Sequence, residues 1–498
     1  MRSWTWGAWV VLVFSLHYGE GRLKSVEMQG SRPNFLIFLI DDIGWGDLGA
    51  NWPNTVETPN LDTLAASGVR LTDFHSGASV CGPSRAALLT GRLGLRTGLV
   101  DNMDTDEVYG LPLNETTFAE MVKTVGYRTG MLGKWHLGTA PGYHPWFRGF
   151  DFYYGIPYSV DMGCTDPCGD PAIGMPVDGL HTNRCPFDND ADHDVPAERF
   201  RYPRNPNRSL PAARSPASVH SDPQNFGSSS ASSTRSERTR VQSVQLGPPK
   251  RYYGTHQSLD AVRHQQANSM EPVESFWPAL PLYENYSIIA QPVDLCELSG
   301  GYVNAAEYFF NMPNQNGDPF LLYVATSHMH VPHAHSDRWT NTSQRGIYGD
   351  TLRELDDEIG QILSALQDTG EANNTLIVVI GDNGPWEQYC EWAGDPGPYL
   401  GIWQKLYGGG GGSAKFTLWE GGHREPAMFV WPGQIPPRVS PALTSAFDVF
   451  QTISVLSGAP LPPNRRFDGV DLSPVLFNET DTIRTFLFHP NSGATYPS

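Results

Sequence analysis

Carboxylate and amide side chains follow two apolar runs that lie far apart in the sequence. Asp41 and Asp42 come directly after "NFLIFLI", and Asp382 and Asn383 follow "TLIVVIG". Four oxygen ligands without a histidine suit Ca²⁺ or Mg²⁺ better than zinc. Any one of these residues alone would more often be a helix cap or a turn residue, but two pairs after two similar runs indicate a metal site.

A single cysteine stands at the start of an apolar, helix-like stretch. Cys81 opens "CGPSRAALLTGR", and Arg85, four residues later, would lie on the same face of that helix. A thiol in this position could be a nucleophile, a metal ligand, a buried residue or a site of modification. The local sequence leaves these alternatives open.

Basic side chains could complete such a site. Lys134 and His136 lie in "GMLGKWHLG", where an extended backbone would point both side chains to one side, and the same rule applies to His328 and His330 in "SHMHVP". Lys415 lies in "SAKFTLWEGG". Each residue alone is more often a surface lysine or a structural histidine. A metal, several cations and a cysteine at one place would suit a phosphate or sulfate ester.

Strands alternate with helices in the elements that would position these residues. "NFLIFLI", "PFLLYVA" and "TLIVVIG" are typical of buried strands, whereas "LDTLAASGV", "TTFAEMVKTVGY" and "TLRELDDEIGQILSALQ" have helical spacing of apolar residues. This alternation predicts an α/β fold with a mostly parallel central sheet flanked by helices. Ligands of such sheets bind beyond the carboxyl ends of the strands, which is where the candidate residues fall.

Composition indicates a secreted, acidic protein. The 498-residue chain has 34 Lys and Arg against 53 Asp and Glu, and this net charge of -19 argues against a nucleic-acid partner. Residues 1–21 predict a cleavable signal peptide, and no later apolar stretch is long enough to span a membrane. Triplets for N-glycosylation support secretion and begin at Asn114, Asn207, Asn285, Asn341, Asn373 and Asn478.

Together the motifs resemble the sulfatase family. "CGPSRAALLTGR" is similar to the sulfatase signature, C-x-P-S-R followed by x-x-L-L-T-G-R, and "GKWHLG" is similar to the second sulfatase motif. The resemblance implies an alkaline-phosphatase-like sulfatase fold and an arylsulfatase that hydrolyses O-sulfate esters. It further implies sulfated glycosaminoglycan sugars of the heparan sulfate type as substrates. The implied location is the lysosome, reached through the secretory pathway, with the endoplasmic reticulum or the extracellular space as alternatives.

The resemblance also implies a modified cysteine. Cys81 would be converted to formylglycine by the formylglycine-generating enzyme during synthesis. One hydroxyl of the hydrated aldehyde would attack sulfur, and the other would then allow sulfate to be expelled. One calcium ion would be bound by the side chains of Asp41, Asp42, Asp382, Asn383 and the modified Cys81.

The remaining candidates would serve the reaction itself. The resemblance implies that Arg85 and Lys134 hold the hydrate and that His136 is the base for elimination. His330 and Lys415 would bind the sulfate and assist the leaving alcohol. Ser159 would add a polar contact, whereas we expect His328 to be structural.

Several departures from the family pattern follow. The catalytic domain is expected at 33–197 and 275–498, with a Ser-, Arg- and Pro-rich insertion at 198–274 that predicts disorder; a basic arm for RNA or heparin-like polymers is the alternative. The chain ends before the small C-terminal subdomain that the resemblance implies, so we expect a truncated domain.

With Cys81 modified, five of six cysteines remain, and one would lack a partner. Val160 stands where relatives often have histidine.

Two other functions remain open at this stage. A phosphohydrolase could use the same metal scaffold, although such enzymes commonly have Ser or Thr as nucleophile, which "CGPSR" argues against. An inactive sulfatase-like protein could instead bind sulfated glycans through a preserved pocket. The presence of all candidate site residues weakens this second alternative.

Overall fold

The computed structural model describes residues 32–163, 165, 279–314, 316–399 and 413–490. The predicted signal peptide and the predicted insertion at 198–274 lie outside the described residues. Cys296 is disulfide-bonded, whereas Cys81 is a free, buried thiol. The other four cysteines, or their side chains, lie outside the described part, so the expected cysteine imbalance stays a prediction.

A large sheet lies at the centre of the described structure. The strands are β1 (Asn34–Ile40), β2 (Val69–Leu71), β3 (Phe74–His75), β4 (Arg128–Gly133), β5 (Phe152–Gly155), β6 (Leu282–Glu284), β7 (Ser287–Ala290), β8 (Phe320–Ala325), β9 (Thr375–Gly381), β10 (Ala427–Val430), β11 (Arg438–Ser440) and β12 (Thr444–Ser445). The sheet order is β11-β2-β10-β9-β1-β8-β4-β5-β6-β7, and β3 pairs separately with β12. The central strands β9, β1, β8 and β4 are parallel, so their carboxyl ends meet at one edge.

Helices cover both faces of this sheet. They are α1 (Pro59–Ala66), α2 (Cys81–Thr90), α3 (Gly94–Thr97), α4 (Phe118–Lys123), α5 (Leu298–Phe310), α6 (Gly346–Asp368), α7 (Glu420–His423), α8 (Asp448–Ser457) and α9 (Ser473–Leu476). The helices expected from apolar spacing are therefore present as α1, α4 and α6. In the described ranges, every helix is too short or too polar to cross a bilayer.

Strand β1 shows why the sheet is buried on both faces. Its odd-numbered side chains from Phe35 to Leu39 lie in one hydrophobic cluster with residues of α2, α4 and α8. Its even-numbered side chains from Leu36 to Ile40 lie in a second cluster with residues of α1, α5 and α6. Burial of each such side chain stabilises the fold by about 1.5–3 kcal/mol. A continuous apolar run is the sequence pattern that this two-sided burial requires.

A glycine at the end of β4 brings two strand ends together. Gly133 has φ 91°, and a Cβ built on it would lie 1.8 Å from the carbonyl oxygen of Ala325, the last residue of β8. No other residue fits this approach, because both the backbone conformation and the space exclude a side chain. The next amide, of Lys134, donates to the same carbonyl at 2.8 Å. The turn therefore directs Lys134 into the edge where the central strands end.

Candidate active site

Cys81 is the first residue of α2, and its side chain is fully buried. Its Sγ lies 3.7 Å from Oδ1 of Asp41, and an Arg85 nitrogen lies 3.4 Å from the same oxygen. The expectation that Cys81 and Arg85 share one helix face is therefore confirmed. Burial raises the pKa of the thiol to about 12, so the thiol is protonated near neutral pH. An unmodified Cys81 is thus poorly suited to act as a thiolate nucleophile.

The two acidic pairs meet because β1 and β9 are adjacent and parallel. The register aligns Ile40 with Gly381, and the next residues along each strand are Asp41 and Asp382. The amide of Asp42 donates to Oδ1 of Asp382 at 3.1 Å. In turn, Nδ2 of Asn383 donates to Oδ1 of Asp42 at 2.7 Å. The convergence expected from the sequence is therefore present.

Each carboxylate pairs most closely with a different cation, and all of these side chains are buried. The shortest nitrogen–oxygen distances are 2.6 Å for Lys134–Asp41, 2.7 Å for Arg85–Asp382 and 2.7 Å for Lys415–Asp42. Three carboxylates and three cations cancel in charge, which is what makes their burial tolerable. We call these six residues the charge cluster.

The carboxyl groups of the charge cluster differ in acidity. Burial would raise the pKa of Asp41, but Lys134 and Arg85 outweigh it and hold that pKa well below its usual range. Burial and the nearby charge of Asp41 raise the pKa of Asp382 to about 7, against the opposing effect of Arg85. Asp41 is therefore the firmly ionised carboxylate, and the others are crowded by like charge.

His136 presents a free basic nitrogen. Its Nε2 lies 3.2 Å from the carbonyl oxygen of Met103, so Nε2 carries the proton and Nδ1 has the lone pair. That Nδ1 is buried and has no hydrogen-bond partner among the described residues. Burial, followed by the charges of Lys134 and Arg85, lowers the pKa of His136 well below its usual value. The imidazole is therefore neutral and able to accept a proton.

His330 is tied to Lys415. The ammonium of Lys415 donates to Nε2 of His330 at 3.0 Å, so the ring proton is on Nδ1, which donates to the carbonyl of Val331 at 2.6 Å. Burial and the charge of Lys415 lower the pKa of His330 to about 3. Burial alone would lower the pKa of Lys415, but Asp42 outweighs it and raises that pKa.

The expected alternation of His328 and His330 is wrong. Nε2 of His328 lies 3.2 Å from Glu354, whereas His330 contacts Lys415. The reason is that β8 ends at Ala325, so both histidines lie in a loop where the two-residue period of a strand does not apply. Ser159 does reach the cluster, since its Oγ accepts from Nζ of Lys134 at 3.1 Å.

The oxygen atoms around Cys81 form a potential cation site. Ligand atoms of Asp41, Asp42, Cys81 and His330 lie within 4.8 Å of one another. His330 uses its accepting nitrogen for Lys415, and the protonated thiol is a weak ligand, which leaves a set of hard oxygens. Oδ1 of Asn383 is buried and accepts no hydrogen bond from the described residues. Such an orphaned acceptor beside carboxylates fits a calcium-type ion.

Two residues that sequence reasoning did not single out also contact His330. Oδ1 of Asp161 lies 3.9 Å from its Nδ1, and the ring of Trp386 lies 5.6 Å from the imidazole ring, centroid to centroid. Asp161 follows Ser159 by two residues, and Trp386 follows the Asp382–Asn383 pair closely. Nothing in their residue types alone indicated that they meet at one histidine.

Comparison with protein families and with individual sequences gives one consistent result. The sulfatase family model matches residues 33–169 and 276–459. Arylsulfatase G from Rattus norvegicus is 44% identical over 94% of this chain and 73% of its own length, and the Homo sapiens arylsulfatase G is 43% identical over 94% and 74%. Arylsulfatase A from Bos taurus is 34% identical over 92% and 70%. Arylsulfatase G is thus the more similar of the two.

Solved structures support the fold. A sulfatase from Pseudoalteromonas sp. has a TM-score of 0.61 and 24% identity, covering 90% of this chain and 72% of that chain. A Bacteroides thetaiotaomicron protein solved in work on the metabolism of multiple glycosaminoglycans has a TM-score of 0.59 and 21% identity, covering 91% and 83%. The expected alkaline-phosphatase-like α/β fold is therefore confirmed.

Proposed function

This chain belongs to the sulfatase family and is a sulfuric ester hydrolase, and we propose that it removes O-sulfate from sulfated glycosaminoglycan sugars of the heparan sulfate type. Cys81 would act as formylglycine, with one calcium ion bound beside it. The observation that carries this proposal is the position of Cys81, buried at the start of α2 and against Asp41.

The charge cluster supports the calcium assignment. Calcium would be held by oxygens of Asp41, Asp42, Asp382 and Asn383, together with the modified side chain of residue Cys81. Because the cluster is neutral without a metal, a bound Ca²⁺ would supply a double positive charge that favours a sulfate group. The unpartnered Oδ1 of Asn383 and the crowded, buried carboxyl groups support a cation at this place.

Formylglycine would supply a carbon that carries two hydroxyls, so that one can attack sulfur while the other remains for the release of sulfate. The rest of the site would orient and deprotonate that group. Lys134, which lies between Asp41 and Ser159, would donate hydrogen bonds to the hydroxyls of the hydrated aldehyde. Arg85 would contact the same hydroxyls from α2. Both cationic groups are buried, so their charges act with little screening by water.

Proton transfer would use the two histidines differently. His136 is neutral with a free Nδ1, which suits a base that removes the proton of the remaining hydroxyl when sulfate leaves. Lys415 and His330 are hydrogen-bonded to each other on the other side of the cluster. That pair would hold the sulfate oxygens and supply a proton to the departing alcohol.

The protein would be modified by the formylglycine-generating enzyme during secretion and would work in the lysosome. The test is to express the chain in mammalian cells, measure Cys81 by peptide mass spectrometry and assay aryl sulfates and heparan sulfate oligosaccharides. We expect an aldehyde at Cys81 and release of sulfate. Active protein with an unmodified thiol in nearly all molecules would contradict the formylglycine assignment. Faster hydrolysis of phosphate than of sulfate monoesters would contradict the substrate assignment.

A further inference from the structure

The buried position of the sulfate-side groups determines where the alcohol part of a substrate must go. His330 and Lys415 are only 4% and 2% exposed, respectively. A sulfate group that reaches them is enclosed by the charge cluster, so the alcohol to which it is attached must lie on the solvent side of His330. We call this solvent-facing edge of the site the rim, and its residues are positioned to contact the alcohol.

The contacts of His330 identify the rim. Three of them are with buried groups, namely Lys415, Asp42 and the carbonyl of Val331. The other two described contacts are with Asp161 and Trp386, and both of these side chains are partly exposed. These two residues alone among the described contacts of His330 connect the buried cluster to solvent.

Asp161 offers an unused acceptor. Its side chain is 28% exposed, yet its Oδ1 is buried and accepts no hydrogen bond from the described residues. The nearby Nδ1 of His330 has its proton directed to Val331, so it does not satisfy this oxygen. The chain is anchored directly before Asp161, because Ser159 is bonded to Lys134 and Val160 is buried in the core. The carboxylate is thus held in place and is free to accept a donor.

Trp386 offers an apolar surface that also contacts His330. Nζ of Lys415 lies 4.5 Å from the centroid of its ring, and Tyr389 and Phe416 pack edge to face at 4.7 Å and 5.3 Å. These contacts hold the indole in one orientation while part of it remains exposed. An aromatic ring and a carboxylate that both contact His330 complement a pyranose, which has C–H groups on its faces and hydrogen-bond donors at its edge.

We propose that Asp161 and Trp386 form the subsite for the alcohol part of the ester, and that this subsite selects a sugar with a hydroxyl or ammonium donor close to the sulfate. Asp161 accepts the donor, and Trp386 covers one face of the ring. A second anionic group in place of the donor would be repelled by Asp161. This inference rests on the proposed sulfatase function and specifies its substrate.

The test compares three substrates in Asp161→Asn and in the unchanged enzyme: 4-nitrophenyl sulfate, which has no donor, glucose monosulfates and glucosamine monosulfates. The Asn variant keeps the shape but loses the charge, so we expect kcat/KM for the preferred sugar to fall about 10- to 100-fold. The aryl ester should change less than about threefold, and inhibition by inorganic sulfate should be unchanged. A larger loss on glucosamine than on glucose esters would identify ammonium as the donor.

Trp386→Phe and Trp386→Ala test the apolar surface. We expect Ala to raise KM for the sugar about tenfold and Phe to restore most of the loss, because a ring remains beside Lys415. Matched controls are Asp318→Asn, at the opposite edge of the sheet before β8, and Trp146→Ala, an exposed tryptophan. Equal loss on sugar and aryl esters in Asp161→Asn would overturn the inference. An unchanged enzyme inactive on every sulfate ester would instead overturn the proposed function.

Discussion

Two buried aspartate environments in this protein differ in how completely their hydrogen bonds are satisfied. Asp47 accepts from the amide of Gly44 at 2.8 Å, from Arg345 and Tyr348 at 2.6 Å each, and from the amide of Asp395 at 3.0 Å. Both of its oxygens are occupied by protein donors. Such a carboxylate joins segments of the chain and has no capacity left for a ligand.

The charge cluster is arranged differently. Its carboxylates are paired with cations, but acceptor atoms beside them, Oδ1 of Asn383 and Nδ1 of His136, have no partner among the described residues. An unpartnered buried polar atom costs about 1–3 kcal/mol, so natural proteins retain few of them. Burial and charge are thus common to both regions, and only the unused acceptors distinguish a place for ligands from a structural junction.

The largest effect is expected from Cys81→Ser in the charge cluster. A serine has one hydroxyl, so attack on sulfur would leave a stable sulfate ester that cannot be expelled. We expect turnover to fall by at least about 10⁴-fold with little change in thermal stability. Intact-protein mass spectrometry after incubation with an aryl sulfate should show added SO₃. Turnover near that of the unchanged enzyme would show that the chemistry does not need a modified Cys81.

Asp382→Asn should remove both metal and activity. The substitution deletes one proposed calcium ligand and leaves Arg85 without its closest carboxylate, which destabilises a buried charge by about 3–5 kcal/mol. Elemental analysis should find less than one calcium ion per chain, and sulfate release should be lost. Full calcium content in this variant would show that Asp382 pairs with Arg85 but does not bind the metal.

Asp47→Asn is the matched substitution in the satisfied region. It removes the charged partner of Arg345, and the new NH₂ group faces at least one of the four groups that donate hydrogen bonds to Asp47. We therefore expect a loss of about 1–3 kcal/mol in the free energy of unfolding. Calcium content and kcat of the folded protein should be unchanged. If this variant lost calcium as Asp382→Asn does, the distinction between the two regions would fail.

A smaller, pH-dependent effect should come from His328. Burial would lower its pKa, but hydrogen bonding and the charge of Glu354 outweigh it and raise that pKa above 6.5. Burial would likewise raise the pKa of Glu354, but His328 outweighs it and lowers that pKa below 4.5. The contribution of His328 to the free energy of unfolding is therefore complete below pH 6.5 and is lost as pH rises through its pKa in the folded protein. The contribution of Glu354 is present above pH 4.5 and is lost as pH falls through its own folded pKa.

Thermal unfolding of His328→Gln checks this window. We expect the Tm loss to be larger at about pH 5.5 than at about pH 8. The control is His144→Gln, because burial lowers the pKa of His144 to about 4 and its neutral form is favoured in the fold. His144→Gln should therefore lower the Tm less at about pH 5.5 than at about pH 8. The same pH trend in both variants would contradict the assigned pairing.

The sequence alone determined the parts of the site that depend on local pattern. Apolar runs identified the buried strands, and because parallel strands end at one edge, they implied that Asp41 and Asp382 would meet. Helical spacing placed Arg85 beside Cys81. These predictions hold because backbone periodicity acts over a few residues, and because the carboxyl ends of parallel strands lie at one edge of a sheet whichever strands are neighbours.

Only the tertiary structure decided the features that arise in loops. His328 and His330 point to different partners because β8 has already ended, and Asp161 and Trp386 meet at His330 although 225 positions separate them. The protonated nitrogen of each imidazole likewise follows from which carbonyl or ammonium lies nearby. Loop directions are set by packing against the rest of the fold rather than by a repeating backbone geometry. For that reason the sequence identified the residues that we propose bind the sulfate, whereas the residues that we propose contact the alcohol emerged only from the folded chain.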